Sequence, residues 1–372
     1  MRILIDLTAL ADNFSGIERY ALNISKNMIK LSKKDSFILI FKNSIHKEFE
    51  EFIDKNNVDI KVLKGGNKLV FNQIILPYHL YKYKSDKYVF LAFPSPIFFR
   101  KKGIVNTIHD LTAFLYPETM KKSSMLYFKY SIINAIKTSE EIITVSQSSK
   151  NDIERKFNGI DVKVIYNGIS DVFKNFNFDE KINKFIKEKY SIPEEYIMSL
   201  GTLEPRKNIK LLIESFLQLK KQQIIECKLL LVGRKGWNIE ELFNDYKEFE
   251  NEILFTGFVE DEYLPYIYNN CEIFVFPSLY EGFGIPVLEA MYMNKLVLAS
   301  NSSSLPEVVG EKELLFENNN KDHLKELLIK IMKFDKTKKD NITGKLKKNS
   351  LKFKWEIEAN KLLNILKEGN EK

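Results

Sequence analysis

The 372-residue sequence predicts an α/β protein of two successive doubly wound, Rossmann-like units. Three observations carry that prediction. Short continuous apolar runs alternate with helix-period segments through both halves of the chain. The pattern breaks once near the middle, and the length exceeds what a single core usually supports.

In the first half, Ile3–Ile5, Phe37–Phe41, Ile60–Leu63, Tyr88–Leu91, Ile104–Ile108, Ile142–Val145 and Val162–Ile165 read as strands. Ile17–Leu31 has the three- and four-residue apolar spacing of a helix. Strands that are apolar throughout, separated by helices, imply a parallel sheet covered on both faces. From Asn167 to Pro193 the sequence turns charged and loop-like around one lysine-rich helix, Lys181–Lys189. The strand pattern then restarts with Ile197–Leu200, Leu229–Val232, Ile253–Phe255, Ile273–Phe276 and Leu296–Ala299. Lys333–Lys348 reads as a lysine-rich patch of low complexity, and Trp355, Ala359, Leu362, Leu363 and Leu366 share one face of a terminal helix. The predicted domains are 1–170, 171–350 and a C-terminal helix within 351–372.

Composition is that of an ordinary folded protein, 44% hydrophobic and 29% charged. The net charge of +7 favours anionic partners without choosing among phosphates, lipid head groups and nucleic acid. No nucleic-acid recognition motif accompanies it, so no nucleic-acid partner is expected. Cys227 and Cys271 each adjoin an apolar run and read as small buried hydrophobes, with no disulfide or metal role. Met1–Asp6 turns polar too soon for a secretory signal, and no apolar stretch reaches membrane-spanning length. The expectation is a cytoplasmic protein.

Four stretches have chemistry to offer. Phe276–Ala290 follows a strand, turns through Gly282, Phe283 and Gly284, and opens a helix near Ile285. Glycines there admit a ligand close to the backbone, and a helix start favours a phosphate. Glu281 and Glu289 read either as two grips on one ligand or as a loop carboxylate and a solvated helix residue. The apolar neighbours of Glu289 make a free carboxylate costly there. Ser199–Asn208 places Arg206 and Lys207 after Gly201, at the carboxyl edge of the second unit's first strand, where open α/β sheets bind ligands. A solvated basic pair is the plain alternative. His109 follows a buried-looking strand, with Asp110 beside it as a candidate turn cap. Gly16 stands at the mouth of the first helix, where Ser15 or Gly16 also fits as a simple cap. There is no Gly-x-Gly-x-x-Gly, no P-loop and no Asp-x-Asp, so cationic side chains and helix ends would neutralise a diphosphate.

Taken together, these stretches resemble glycosyltransferase family 4, in the branch with bacterial mannosyltransferases of surface-polysaccharide assembly. The resemblance runs over Ser15–Tyr20, Ile108–Leu111, Thr144–Ser146, Tyr166–Gly168, Gly201–Asn208, Leu231–Gly233, Phe255–Phe258, Glu281–Glu289 and Ser304–Glu307. It implies a retaining GT-B enzyme, with two Rossmann-like domains facing across a cleft and a terminal helix crossing back to the first. The first domain would bind the acceptor and the second the nucleotide sugar. On that resemblance Glu289 holds the ribose, Arg206 and Lys207 stabilise the departing diphosphate, and Glu281 with Gly282–Gly284 binds the donor sugar. Gly16 lets the first loop approach the phosphates, and His109 contacts the sugar near its reacting carbon. Gly201, in the Arg-Lys loop, belongs to the donor site.

No cofactor or metal is expected, and GDP-mannose stands first among donors, ahead of UDP-sugars. The expected acceptor is a glycan, free or linked to polyprenyl diphosphate. Basic and aromatic stretches such as Phe98–Lys102 suggest contact with anionic lipid at the inner face of the cell membrane, against the plain reading of a solvated face. An epimerase, a phosphorylase or a non-catalytic sugar-nucleotide-binding subunit uses the same architecture. One departure stands out: the family has a glycine shortly before the strand that follows Glu289, whereas this chain has Asn294, which also adopts the left-handed helix-ending conformation.

Overall fold

The computed structural model describes residues 1–10, 16–236 and 245–368. The chain divides into two compact units, Met1–Gly168 with Lys354–Lys372, and Ile169–Phe353.

The first unit holds seven strands: β1 (Arg2–Asp6), β2 (Ser36–Lys42), β3 (Val58–Leu63), β4 (Lys87–Phe90), β5 (Ile104–Thr107), β6 (Glu141–Thr144) and β7 (Val162–Val164). They form one sheet in the order β3-β2-β1-β4-β5-β6-β7, with every pairing parallel. Both faces are covered, which is why β4 and β5 are buried along their whole length. Leu4, Ile38, Phe71, Phe90, Phe99 and Ile104 centre one core cluster. Ile108, Ile132, Ile142 and Ile153 centre another.

The helix Gly16–Leu31 buries Tyr20, Ile24 and Met28 at four-residue spacing. Against this first unit the chain's terminal helix, Trp355–Glu368, buries the predicted face of Trp355, Ala359, Leu362, Leu363 and Leu366. Trp355 meets the Tyr20 ring at 6.0 Å between centroids, and Glu358 Oε2 accepts the Tyr166 N–H at 2.9 Å. A Cβ on Gly168 would lie 2.6 Å from the Trp355 nitrogen, so glycine is what lets the returning helix seat there.

In the second unit β8 (Tyr196–Leu200), β9 (Lys228–Val232), β10 (Ile253–Gly257), β11 (Ile273–Phe276), β12 (Leu296–Ser300) and β13 (Leu315–Phe316) lie in the order β10-β9-β8-β11-β12-β13, again all parallel. Two features differ from the sequence reading. Two-residue β13 was not predicted, being too short to show a period. The lysine-rich patch folds as the helix Lys336–Ser350, which buries Ile342, Leu346 and Ser350 and donates from Asn349 Nδ2 to Val308 O at 2.8 Å.

Candidate active site

Strand order places the site. In the second sheet the chain moves outward from β8 to β9 and β10, then returns to β11 on the other side of β8. The reversal opens a crevice at the carboxyl ends of β8 and β11, and the two stretches singled out from the sequence are the loops leaving those ends.

The loop after β8 is shaped by its backbone. Gly201 has φ +151°, and its carbonyl oxygen lies 2.1 Å from where a Cβ on Gly233 would stand. Beyond it Pro205–Lys207 makes one 3₁₀ turn, Asn208 takes a left-handed conformation, and the helix Ile209–Lys221 begins. Arg206 and Lys207 thus occupy a fixed turn. The Arg206 carbonyl accepts the Leu279 N–H at 2.9 Å, which joins this loop to the one after β11.

The second loop ends at Gly284, with φ +104°, and the helix Ile285–Tyr292 follows. The chain leaving β12 supports it from behind. Ser303 Oγ accepts the Glu281 N–H at 2.8 Å, and Ser304 Oγ lies 3.0 Å from Glu281 O and 2.8 Å from Phe283 O. Phe283 packs edge-on against Phe353 at 5.4 Å. A Cβ on Gly284 would stand 2.7 Å from Leu305 Cδ2. Gly284→Ala therefore adds a clash to a left-handed backbone, and we expect a loss of about 1–3 kcal/mol in urea-unfolding stability. An unchanged midpoint would contradict the geometry.

Glu281 is the electrostatic centre. Its Oε2 pairs with Arg206 Nη1 at 2.9 Å and its Oε1 with Lys207 Nζ at 2.7 Å. Arg206 also donates from Nη1 to Tyr280 O at 2.6 Å and pairs through Nη2 with Glu204 Oε1 at 2.8 Å. Burial works to raise the Glu281 carboxyl, but Arg206 and then Lys207 overcome it and hold the group at about 2. Burial pulls the Lys207 ammonium below the ordinary lysine value, against the opposing pull of Glu281.

A carboxyl lowered from 4.5 to about 2 contributes its pairing stability in full above the higher value and loses it as pH falls toward the lower. The stability gap between the wild type and Glu281→Gln is therefore expected to close between those two pH values. Parallel melting curves across that acid range would sink the assignment.

Glu289 is 1% exposed, which removes the reading of a solvated helix residue. Its Oε2 lies 3.0 Å from the Tyr268 hydroxyl, itself fully buried. At the end of that helix Asn294 has φ +55°, and the Lys295 N–H bonds back to Ala290 O at 2.9 Å. This is the helix-ending motif in which asparagine replaces glycine.

The remaining candidates lie in the first unit. His109 follows β5, is half-buried, places Nε2 2.8 Å from Leu91 O and meets the Tyr20 ring edge-on at 5.1 Å. Burial lowers its pKa, which keeps the imidazole neutral near pH 7. Asp110 Oδ1 accepts the Thr112 N–H at 2.7 Å, the local turn cap foreseen for it. Gly16 opens the first helix, and Asn13–Ser15 of the same motif lie outside the described residues.

The second unit therefore brings together Gly201, Arg206, Lys207, Glu281, Gly282, Phe283, Gly284 and Glu289 along two adjoining loops and one helix start. Sequence reasoning missed Glu204, Tyr268 and Ser303. Only the serine run Ser302–Ser304, just past a strand end, offered a signal. Cys227 and Cys271 are free and buried, and burial pushes the Cys271 thiol up to about 12. Among the described residues there is no cluster of three or more His, Cys, Asp or Glu suited to a metal. No helix among them is long and apolar enough to cross a membrane.

Two parallel α/β units with such a crevice define the class: a GT-B glycosyltransferase fold. The crystal structure of Alr3699/HepE from Anabaena in complex with UDP and glucose has this fold, with a TM-score of 0.73 at 18% identity over 99% of this chain and 100% of that one. Residues 181–349 match the family model of glycosyl transferases group 1, so the chain carries that domain. It is 27% identical over 382 residues to O-antigen chain mannosyltransferase B of Escherichia coli, covering 99% of this chain and 100% of the relative. It is 25% identical over 327 residues to O-antigen chain mannosyltransferase RfbU of Salmonella typhimurium, covering 82% and 84%. The chain has the role of a glycosyltransferase.

Proposed function

We propose that the chain is a retaining hexosyltransferase that moves mannose from GDP-mannose to a glycan, free or linked to polyprenyl diphosphate, in bacterial surface-polysaccharide synthesis. One observation carries the donor assignment: Arg206, Lys207 and Glu281 meet beside the Gly284 helix start. Each cation is held by a carboxylate. An arriving diphosphate displaces Glu281 from both cations and frees its carboxylate for the sugar hydroxyls. Glu289 takes the ribose. The roles of Gly16 at the phosphates and His109 at the sugar come from the family resemblance.

In the transfer, the bond from the anomeric carbon to the phosphate oxygen breaks and one to the acceptor hydroxyl forms on the same face. The acceptor proton passes to the leaving phosphate. Catalysis is positioning plus charge stabilisation, with no covalent nucleophile on the chain and no metal. The names of the mannosyltransferase relatives support the sugar. The Anabaena structure holds UDP and glucose, which makes a UDP-sugar the second reading.

A thermal-shift panel of GDP-mannose, UDP-glucose and a dTDP-sugar tests both. The true donor adds about 2.7 kcal/mol of stability at a hundredfold excess over its Kd. GDP-mannose without effect would end the first reading, and no response to any of the three would end the donor assignment. Proton NMR of the product anomer tests retention.

A further inference from the structure

Tyr268 lies on the helix Leu264–Asn270, which leads into β11, and Glu289 on the helix Ile285–Tyr292, which follows it. The two side chains therefore come from opposite ends of the strand that forms one side of the crevice. Both are buried, Tyr268 completely.

The phenol ring is locked in place. It packs against Phe173 at 5.7 Å and Phe274 at 5.5 Å between centroids, and both of those rings are themselves buried. The helix backbone is held on either side of it. Ile267 O accepts the Tyr196 hydroxyl of β8 at 2.6 Å, and Asn269 O accepts from Lys295 Nζ at 2.5 Å. With ring and helix fixed, the hydroxyl is fixed too, 3.0 Å from Glu289 Oε2 and 3.2 Å from Pro286 O. A phenol has one proton to donate. The carboxylate is both the nearer acceptor and the charged one, so it takes that proton in a charge-assisted bond.

Packing alone does not account for the hydroxyl, because a phenylalanine would fill the space between Phe173 and Phe274 equally well. What the hydroxyl adds is an anchor for a carboxylate on a flexible side chain. A glutamate that is free to rotate loses that freedom when it grips a ligand, and the loss weakens binding. A glutamate already held by Tyr268 has lost it in the folded chain. The same rigidity sharpens selection: a sugar without hydroxyls desolvates the fixed carboxylate and gives it no hydrogen bond in return.

We propose that Tyr268 is a positioning residue for donor recognition. It holds the Glu289 carboxylate in register with the ribose diol, and so makes the chain select ribonucleotides over nucleotides that lack the diol. The proposal rests on the reading that Glu289 takes the ribose.

Calorimetric binding of GDP and 2′,3′-dideoxy-GDP to the full chain, with UDP and its dideoxy analogue in parallel, tests it. The wild type is expected to prefer the ribonucleotide by about a hundredfold, from about tenfold for each charge-assisted hydrogen bond. Tyr268→Phe keeps the packed ring. It is expected to bind the ribonucleotide about tenfold more weakly and the dideoxy analogue as before, so the preference shrinks by that factor. In Glu289→Gln, adding Tyr268→Phe should reduce the preference no further, as expected of two residues that act as one. Tyr196→Phe removes another buried hydroxyl from the same helix without touching Glu289; it should lower the melting temperature and leave the preference unchanged. In transfer assays Tyr268→Phe should raise the donor KM about tenfold and keep kcat within about twofold, since the ribose is remote from the bond that breaks. If the wild type binds neither ribonucleotide, or binds each no better than its dideoxy analogue, the ribose reading falls and this proposal with it. If the wild type discriminates and Tyr268→Phe discriminates as strongly, or weakens both nucleotides alike, the proposal alone is overturned.

Discussion

Lys207→Ala is expected to cut sugar transfer by about 10²–10³, the effect of removing one preorganised group that stabilises developing charge. The fold should survive. Glu281 keeps Arg206 at 2.9 Å when Lys207 is gone, so no carboxylate is stranded. Glu289→Ala is likewise expected to abolish turnover while the chain stays folded, because the Tyr268 hydroxyl that loses Glu289 Oε2 still has Pro286 O 3.2 Å away. Radiolabelled sugar transfer and thermal melts on the same preparations check both variants. Near-normal transfer by either would remove that residue from the donor site.

What sequence could and could not show follows from the range of each interaction. All seven strands of the first unit and five of the six in the second are legible: those buried on both faces, such as β2 and β11, write continuous apolar runs, while the edge strand β3 is recorded only by Ile60, Val62 and Leu63. The helix starting at Ile285 is legible because Gly284 and Pro286 bracket it. Arg206 and Lys207 stood out through the turn residues around them. Their capture by one carboxylate was not visible, since Glu281 lies 74 residues further along the chain from Lys207. Tyr268 was hidden for the same reason: it comes from a different helix, and nothing near it in sequence marks it as a partner for Glu289. The lysine-rich patch misled because composition dominated there, while only Ile342 and Leu346 recorded its buried face.

Glu281→Ala offers the sharpest test, because stability and binding should move in opposite directions. Both cations sit in side chains at most 16% exposed, and removing the carboxylate takes from Lys207 its carboxylate partner and leaves Arg206 with Glu204. Leaving a buried charge uncompensated costs about 3 kcal/mol or more. For a unit of this size that lowers the melting temperature by roughly 6–12 °C. The same vacancy favours a diphosphate, which no longer has to displace Glu281. GDP or inorganic pyrophosphate should therefore raise the melting temperature of the variant more than that of the wild type, by mass action on the folded state. Sugar transfer should still be lost, because the freed carboxylate is also the proposed partner of the donor sugar. Glu281→Gln separates charge from shape: it keeps the Ser303 contact, which is made through the backbone, and should show the same enhanced response to pyrophosphate. If pyrophosphate stabilises wild type and both variants equally, the cations do not meet the diphosphate. The ion-pair cluster would then only brace the loop.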